Sequence, residues 1–197
     1  MRTENLVLMQ MARESLKGKW AQAVGTYLVY IVVVGAFSGT SRVLPLTGIV
    51  SLILAGPMFL GITIFSLSLA RNQDARIEQI FNGFYNFGKA LGAYLLMLVF
   101  ILLWSVLLVI PGIIAALSYS MTFYIIADDP SVGAMEAIDK SIIMMAGYKW
   151  KYFCLMLRFL GWALLCILTL GIGFLWLMPY MQVSVAKFYD DVKSNHN

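Results

Sequence analysis

Apolar and polar positions along this chain alternate in long blocks rather than residue by residue. The clearest block runs from Trp104 to Asp129: an apolar stretch, the break Ile110-Pro111-Gly112, a second apolar stretch, then the carboxylates of Asp128 and Asp129. A segment this apolar satisfies its backbone amides as helix inside a bilayer, which predicts a membrane hairpin turning at Pro111-Gly112. The same reading places six spans, at about residues 20–37, 47–70, 88–110, 111–127, 149–168 and 173–188. A loop at 38–45 joins the first two and a tight turn at 169–172 the last two. Pro57 and Pro179 are expected to kink or break their spans, and 111–127, without an interior proline, to be the least kinked. Residues 191–197 read as a polar, disordered tail.

Between the spans the periodicity becomes amphipathic. Residues 3–17 set Leu6, Met9, Ala12 and Leu16 against Gln10, Glu14 and Lys17, a short helix suited to a bilayer surface. Ile77, Ile80, Phe81 and Phe84 recur at i, i+3, i+4 and i+7, predicting a second surface helix. Asp129 as N-cap and Pro130 at the first helical position predict a third, with Met135, Ile138, Ile142 and Met145 as its stripe. Gly88 and Gly92 form a GxxxG pattern, which is suited to close helix packing. Each surface helix is followed by a related motif: Gly18-Lys19-Trp20, Gly83-Phe84-Tyr85 and Gly147-Tyr148-Lys149-Trp150. Trp20, Tyr85 and Trp150 are spaced by 65 residues, and each following hairpin ends in acid, at Asp74, Asp128-Asp129 and Asp190-Asp191. Two readings fit: three copies of a surface helix plus hairpin, at 3–70, 71–129 and 130–191, or a period that any six-span chain with short loops produces.

Composition agrees with lipid as the solvent, since 61% of the 197 residues are hydrophobic and 12% charged. The formal charge of +4 is not gathered into a patch, so nucleic acid is not the expected partner; the basic residues sit at the ends of apolar runs. Twelve of them, including Arg13, Lys19, Arg71, Lys89, Lys140 and Lys193, fall on one side of the six spans, Arg42 on the other, and Arg158 inside the fifth. The positive-inside rule then places both termini and the surface helices in the cytoplasm. The first apolar run is a full span rather than a signal peptide. Cys154 and Cys166, twelve residues apart on one predicted helix, are about 18 Å from each other and too far to bridge.

Motifs for chemistry are scarce. His196 is the only histidine and lies in the tail, and the chain has no P-loop, no GxSxG and no CxxC. No metal, cofactor or enzyme activity is expected; the acids at the hairpin ends read as solvated helix caps in preference to a divalent-cation site. Arg158 stands out as a cation within a span. It either snorkels to lipid phosphates or faces a wet cavity, for which Ser118, Ser120, Thr122 and Gln182 are the natural companions. Trp20 and Trp150 mark one membrane edge and Trp104, Trp162 and Trp176 the other, as interfacial anchors.

With LLVIPGIIAALSYSMTFYIIADDP, MMAGYKWKYF, LGW, LTLGIGFLWLMPY and AKFY in view, the chain resembles domain-of-unknown-function family 975 of bacterial integral membrane proteins. Where the family pattern has a small polar residue, this chain has Arg158. The resemblance implies a multi-span plasma-membrane protein, with distant similarity to membrane domains attached to some glycerophosphodiesterases, and supplies no reaction. The expectation is therefore an all-α polytopic membrane protein, a single domain over 1–197, with six transmembrane helices and three cytoplasmic interfacial amphipathic helices. Its expected work is transport of small or amphiphilic molecules, or lipid handling, with membrane lipids and other membrane proteins or a second copy as partners. The alternative is a scaffold or an immunity-type protein that binds partner helices or membrane-active peptides.

Overall fold

The computed structural model describes residues 3–39 and 46–196, so the Arg42 loop lies outside the described residues. The described chain is helical and contains no strand. In order the helices are α1 (Asn5–Leu16), α2 (Trp20–Gly39), α3 (Leu46–Ala70), a 3-10 segment (Ile77–Asn86), α4 (Phe87–Leu107), α5 (Val109–Tyr119), α6 (Thr122–Asp128), α7 (Ala134–Met144), α8 (Lys149–Leu168) and α9 (Phe174–Ser194). Four stretches are long and apolar enough to cross a membrane: Val50–Ala70, Ile77–Val106, Val109–Asp128 and Lys149–Leu168. The first and third are 56% buried, the second and fourth 11% and 17%, so α3 and the α5–α6 stretch form the core while α4 and α8 form an apolar rim.

α3 is the centre of the core, with Leu60, Ile62, Phe65 and Leu69 buried, and it runs through Pro57 without a break. Its polar side chains bond back to their own helix, Thr63 to the Phe59 carbonyl, Ser66 to Ile62 and Ser68 to Ile64, so they add no unpaired group to an apolar interior. α9 also continues through Pro179. The stretch that breaks does so away from any proline: α5 stops at Tyr119 and α6 restarts at Thr122. Ser141 of α7 fills that gap, accepting from the Met121 N–H at 3.1 Å and donating to the Ser118 carbonyl at 2.7 Å. A hydroxyl from a neighbouring helix supplies the partners that the interrupted ladder lacks.

Four other expectations change at the level of residues. The hairpin turns at Leu108, which is extended, and Pro111 lies in the first turn of α5, where its missing N–H costs nothing. The second surface helix is a 3-10 helix of ten residues, which puts Ile80 and Gly83 inward and leaves Ile77 and Phe81 exposed. The third starts at Ala134 after an extended Gly133, because Asp129 accepts from the N–H and hydroxyl of Ser131 in a local turn. That pairing also holds the Asp129 carboxyl below the usual range. Finally, α9 extends to Ser194 with Val192 buried, and His196 packs edge-on against Tyr148, so the expected disordered tail is ordered through these residues.

Glycine explains how the 3-10 segment comes so close to α3. A Cβ on Gly61 would lie 1.7 Å from the Ile80 carbonyl oxygen, and one on Gly83 would lie 1.9 Å from that of Pro57. Gly56 likewise faces the Ala90 backbone of α4. The GxxxG pair does not serve this purpose: Gly88 faces open space and Gly92 meets only the Ala134 side chain, at 3.5 Å. Gly18 and Gly147 share a φ of 79° immediately before α2 and α8, so the first and third Gly-aromatic motifs turn the chain alike. Gly83, the second, is spent on close packing instead.

Candidate functional site

α3, α6 and α9 finish near one another, and charge ties them together there. Arg71 directly follows α3, where Asn72 at φ 56° reverses the chain and the Gln73 N–H returns to the Ser68 carbonyl. Its Nη1 donates to Asp128 Oδ1 at 2.6 Å, and its Nη2 and Nε to Asp190 Oδ1 at 2.7 and 3.2 Å. The remaining Asp128 oxygen accepts from Lys193 and, at 3.1 Å, from the Tyr189 hydroxyl. Hydrogen bonding to Asp190 outweighs the cost of burial and, with Asp128, pushes the Arg71 pKa above its ordinary value. Beside this hub Lys151 of α8 pairs with Asp191 at 2.7 Å, and Asp191 also accepts from the Thr3 hydroxyl.

These bonds correct the reading of the hairpin-end acids as solvated caps. Asp74 answers to it, pairing with Arg76 on the exposed surface, and Asp129 is exposed. Asp128, 12% exposed, and Asp190 and Asp191 are instead members of a fixed ion-pair network, because Arg71 and Lys151 reach them. Among the described residues no group of three or more His, Cys, Asp and Glu is placed to hold a metal. The network's members bond to one another across helices, which ties the ends of α3, α6 and α9 together.

Open space lies beside this network, in a depression of about 380 Å³ bordered by Asp128, Lys140, Tyr189 and Lys193, and also on the flanks. Between α2, α8 and α9 a groove of about 360 Å³ is lined by Trp20, Trp162, Trp176, Leu177, Tyr180 and Arg13. α1 brings Arg13 there: Met9, Ala12 and Leu16 of the expected face anchor the helix in the core together with Leu8, Leu6 is exposed, and Arg13 is left at the edge. Cys166 and Gly173 complete the wall, so among the described residues Arg13 carries the only formal charge in the lining. A second cavity, of about 270 Å³ between α2, α3 and the 3-10 segment, is lined by residues such as Leu54, Met58, Phe81 and Phe84. Both offer apolar walls, which suit alkyl chains.

The structure does not gather the expected cavity around Arg158. That side chain is exposed on α8 and borders a depression of about 390 Å³ with Thr3, Asn5, Trp150 and Cys154. Ser118 borders a different one of about 200 Å³ with Trp104, and its hydroxyl bonds back to Ile114. Ser120 bonds back to Leu117, Gln182 accepts from the Tyr124 hydroxyl at 2.9 Å, and Thr122 is buried with its hydroxyl unpartnered among the described residues. The tryptophans divide too. Trp104, Trp150, Trp162 and Trp176 are all exposed, and Trp20, Trp162 and Trp176, assigned to opposite edges, border one groove. Sequence reasoning missed Arg71, Arg13 and Ser141. A signal for Arg71 existed in the charge reversal at equivalent hairpin ends, basic after α3 and acidic after α6 and near the end of α9. Arg13 and Ser141 had none, since each depends on where a short surface helix docks.

The family model described as Protein of unknown function (DUF975) matches the chain over residues 1–111 and 105–196. No curated protein and no solved structure matches it.

Proposed function

Given that the chain belongs to the DUF975 family along nearly all its length, we propose that it is a non-enzymatic, multi-pass protein of the bacterial plasma membrane that binds lipid or another amphiphile and moves it within or across the bilayer. In this reading α2 and the first part of α9 join the four long apolar stretches to make six spans. Both termini, α1, the 3-10 segment and α7 lie at the cytoplasmic leaflet, in keeping with the distribution of basic residues. The hub of Arg71, Asp128 and Asp190 then sits where three hairpins meet, as expected if 3–70, 71–129 and 130–191 are copies of one unit.

The observation that carries this reading is the groove between α2, α8 and α9, whose apolar, tryptophan-rich wall is open along the side of the bundle. A groove of that kind receives an amphiphile laterally from a leaflet without exposing its chain to water. The test is reconstitution of the full chain into liposomes containing a fluorescent phospholipid, followed by reduction of the outer-leaflet label. Transbilayer exchange faster than in protein-free liposomes is expected. Exchange at the protein-free rate, with no lipid retained through purification, overturns the reading in favour of a scaffold that binds partner helices.

A further inference from the structure

Arg13 is the single formal charge in the lining of the groove between α2, α8 and α9, and it forms no ion pair among the described residues. Its neighbour Glu14 belongs to a different contact, accepting from Gln10 on the exposed face of α1. A guanidinium at the edge of an apolar wall gains most from an anion brought by the occupant, and its planar fork matches two phosphate oxygens. The described lining also offers no carboxylate, so an ammonium on the occupant finds no formal counter-charge there and has only the indole and phenol faces, which the occupant's own chain covers. Trp20 and Trp176 approach the same space with broad, rigid faces against which a chain can lie.

We infer that this groove is a binding site for a glycerophospholipid with a net anionic headgroup, such as phosphatidylglycerol, its phosphodiester on Arg13 and an acyl chain along Trp20, Trp162 and Trp176. The inference rests on the amphiphile-handling reading above and adds the headgroup class and the residue that selects it. A zwitterionic lipid fills the same wall but brings an ammonium for which the described lining holds no counter-charge, so discrimination comes from the headgroup and retention from the chain.

The experiment uses the full chain carrying Trp104→Phe and Trp150→Phe, so that every remaining indole lines the groove. It is reconstituted into vesicles containing a phosphatidylglycerol or a phosphatidylcholine brominated on the acyl chain, and tryptophan fluorescence is read. Brominated phosphatidylglycerol is expected to reach half-maximal quenching at roughly one-fifth the mole fraction that phosphatidylcholine needs, the scale of one charge-assisted contact. Arg13→Gln brings the two lipids together, and Arg13→Lys keeps part of the preference. Equal quenching by both lipids in the unsubstituted-Arg13 protein, or a preference that survives Arg13→Gln, overturns the headgroup assignment while leaving a lipid in the groove. Quenching by neither overturns the amphiphile reading as well. Relief of quenching by millimolar inorganic phosphate makes Arg13 a site for the free anion and also overturns the assignment.

Discussion

Arg71 shows how much one side chain can carry when its partners lie far away in sequence. It joins Asp128, 57 residues on, to Asp190, 119 residues on, so that three helix ends share one guanidinium. Arg71→Met leaves two acids without their fork donor, one of them largely buried, and is expected to destabilise the folded protein by about 2–3 kcal/mol. Arg71→Lys, which keeps the charge but not the geometry, is expected to recover about half of that loss. Unfolding in mixed detergent, followed by helical circular dichroism, checks both. The acids at these ends were visible in the sequence as a recurring mark, but their role was not: the pattern records that a charge is present, whereas pairing depends on which helix ends the fold brings together.

At the scale of the element, periodicity located apolar helices well and described their faces poorly. α8 occupies the expected residues, and α3 starts within one residue of the expectation and ends where predicted, because continuous apolar runs leave little freedom in where helix forms. The 3-10 segment escaped notice since a stripe at i, i+3, i+4 and i+7 suits an α-helix, while what decides its form is backbone contact at Gly61 and Gly83. Small residues in a GxxxG spacing drew attention to Gly88 instead, where an added methyl would meet only open space. Gly61→Ala is therefore expected to cost more than about 3 kcal/mol, since carbonyl and backbone atoms stand where its methyl would go, whereas Gly88→Ala stays within about 1 kcal/mol of the parent. The same unfolding measurement, applied to the two variants side by side, tests that contrast. The interruption also lies elsewhere than at the prolines: helix continues through Pro57 and Pro179, while α5 and α6 part where Ser141 offers other partners.

For the whole molecule, an all-helical architecture with long apolar helices was legible from composition and block length alone. The groove was not, since Arg13, Trp20, Trp162 and Trp176 come from four helices and converge only through packing. Membrane orientation is open to direct measurement. Leu170, in the exposed turn after α8, and Lys140 of α7 precede or follow a helix about 30 Å long. Cysteines placed at these two positions, in a chain with Cys154 and Cys166 replaced by serine, are expected to react with an impermeant maleimide from opposite faces of intact cells and inverted vesicles. Labelling of both from one face overturns the six-span arrangement.

The joining of helix ends by Arg71 also sets an order of events during synthesis. At roughly 5–20 residues per second, Arg71 precedes Asp128 by roughly 3–11 s and Asp190 by roughly 6–24 s. Lys151 in turn precedes Asp191, and Asp128 precedes Lys193, so these bonds also wait for the end of α9. The earlier helices are thus made before the residues that fasten them, and their cations lack these partners in the interval. Closure of the bundle waits for α9 to be translated, which makes α9 the fastening step of assembly as well as a wall of the finished groove.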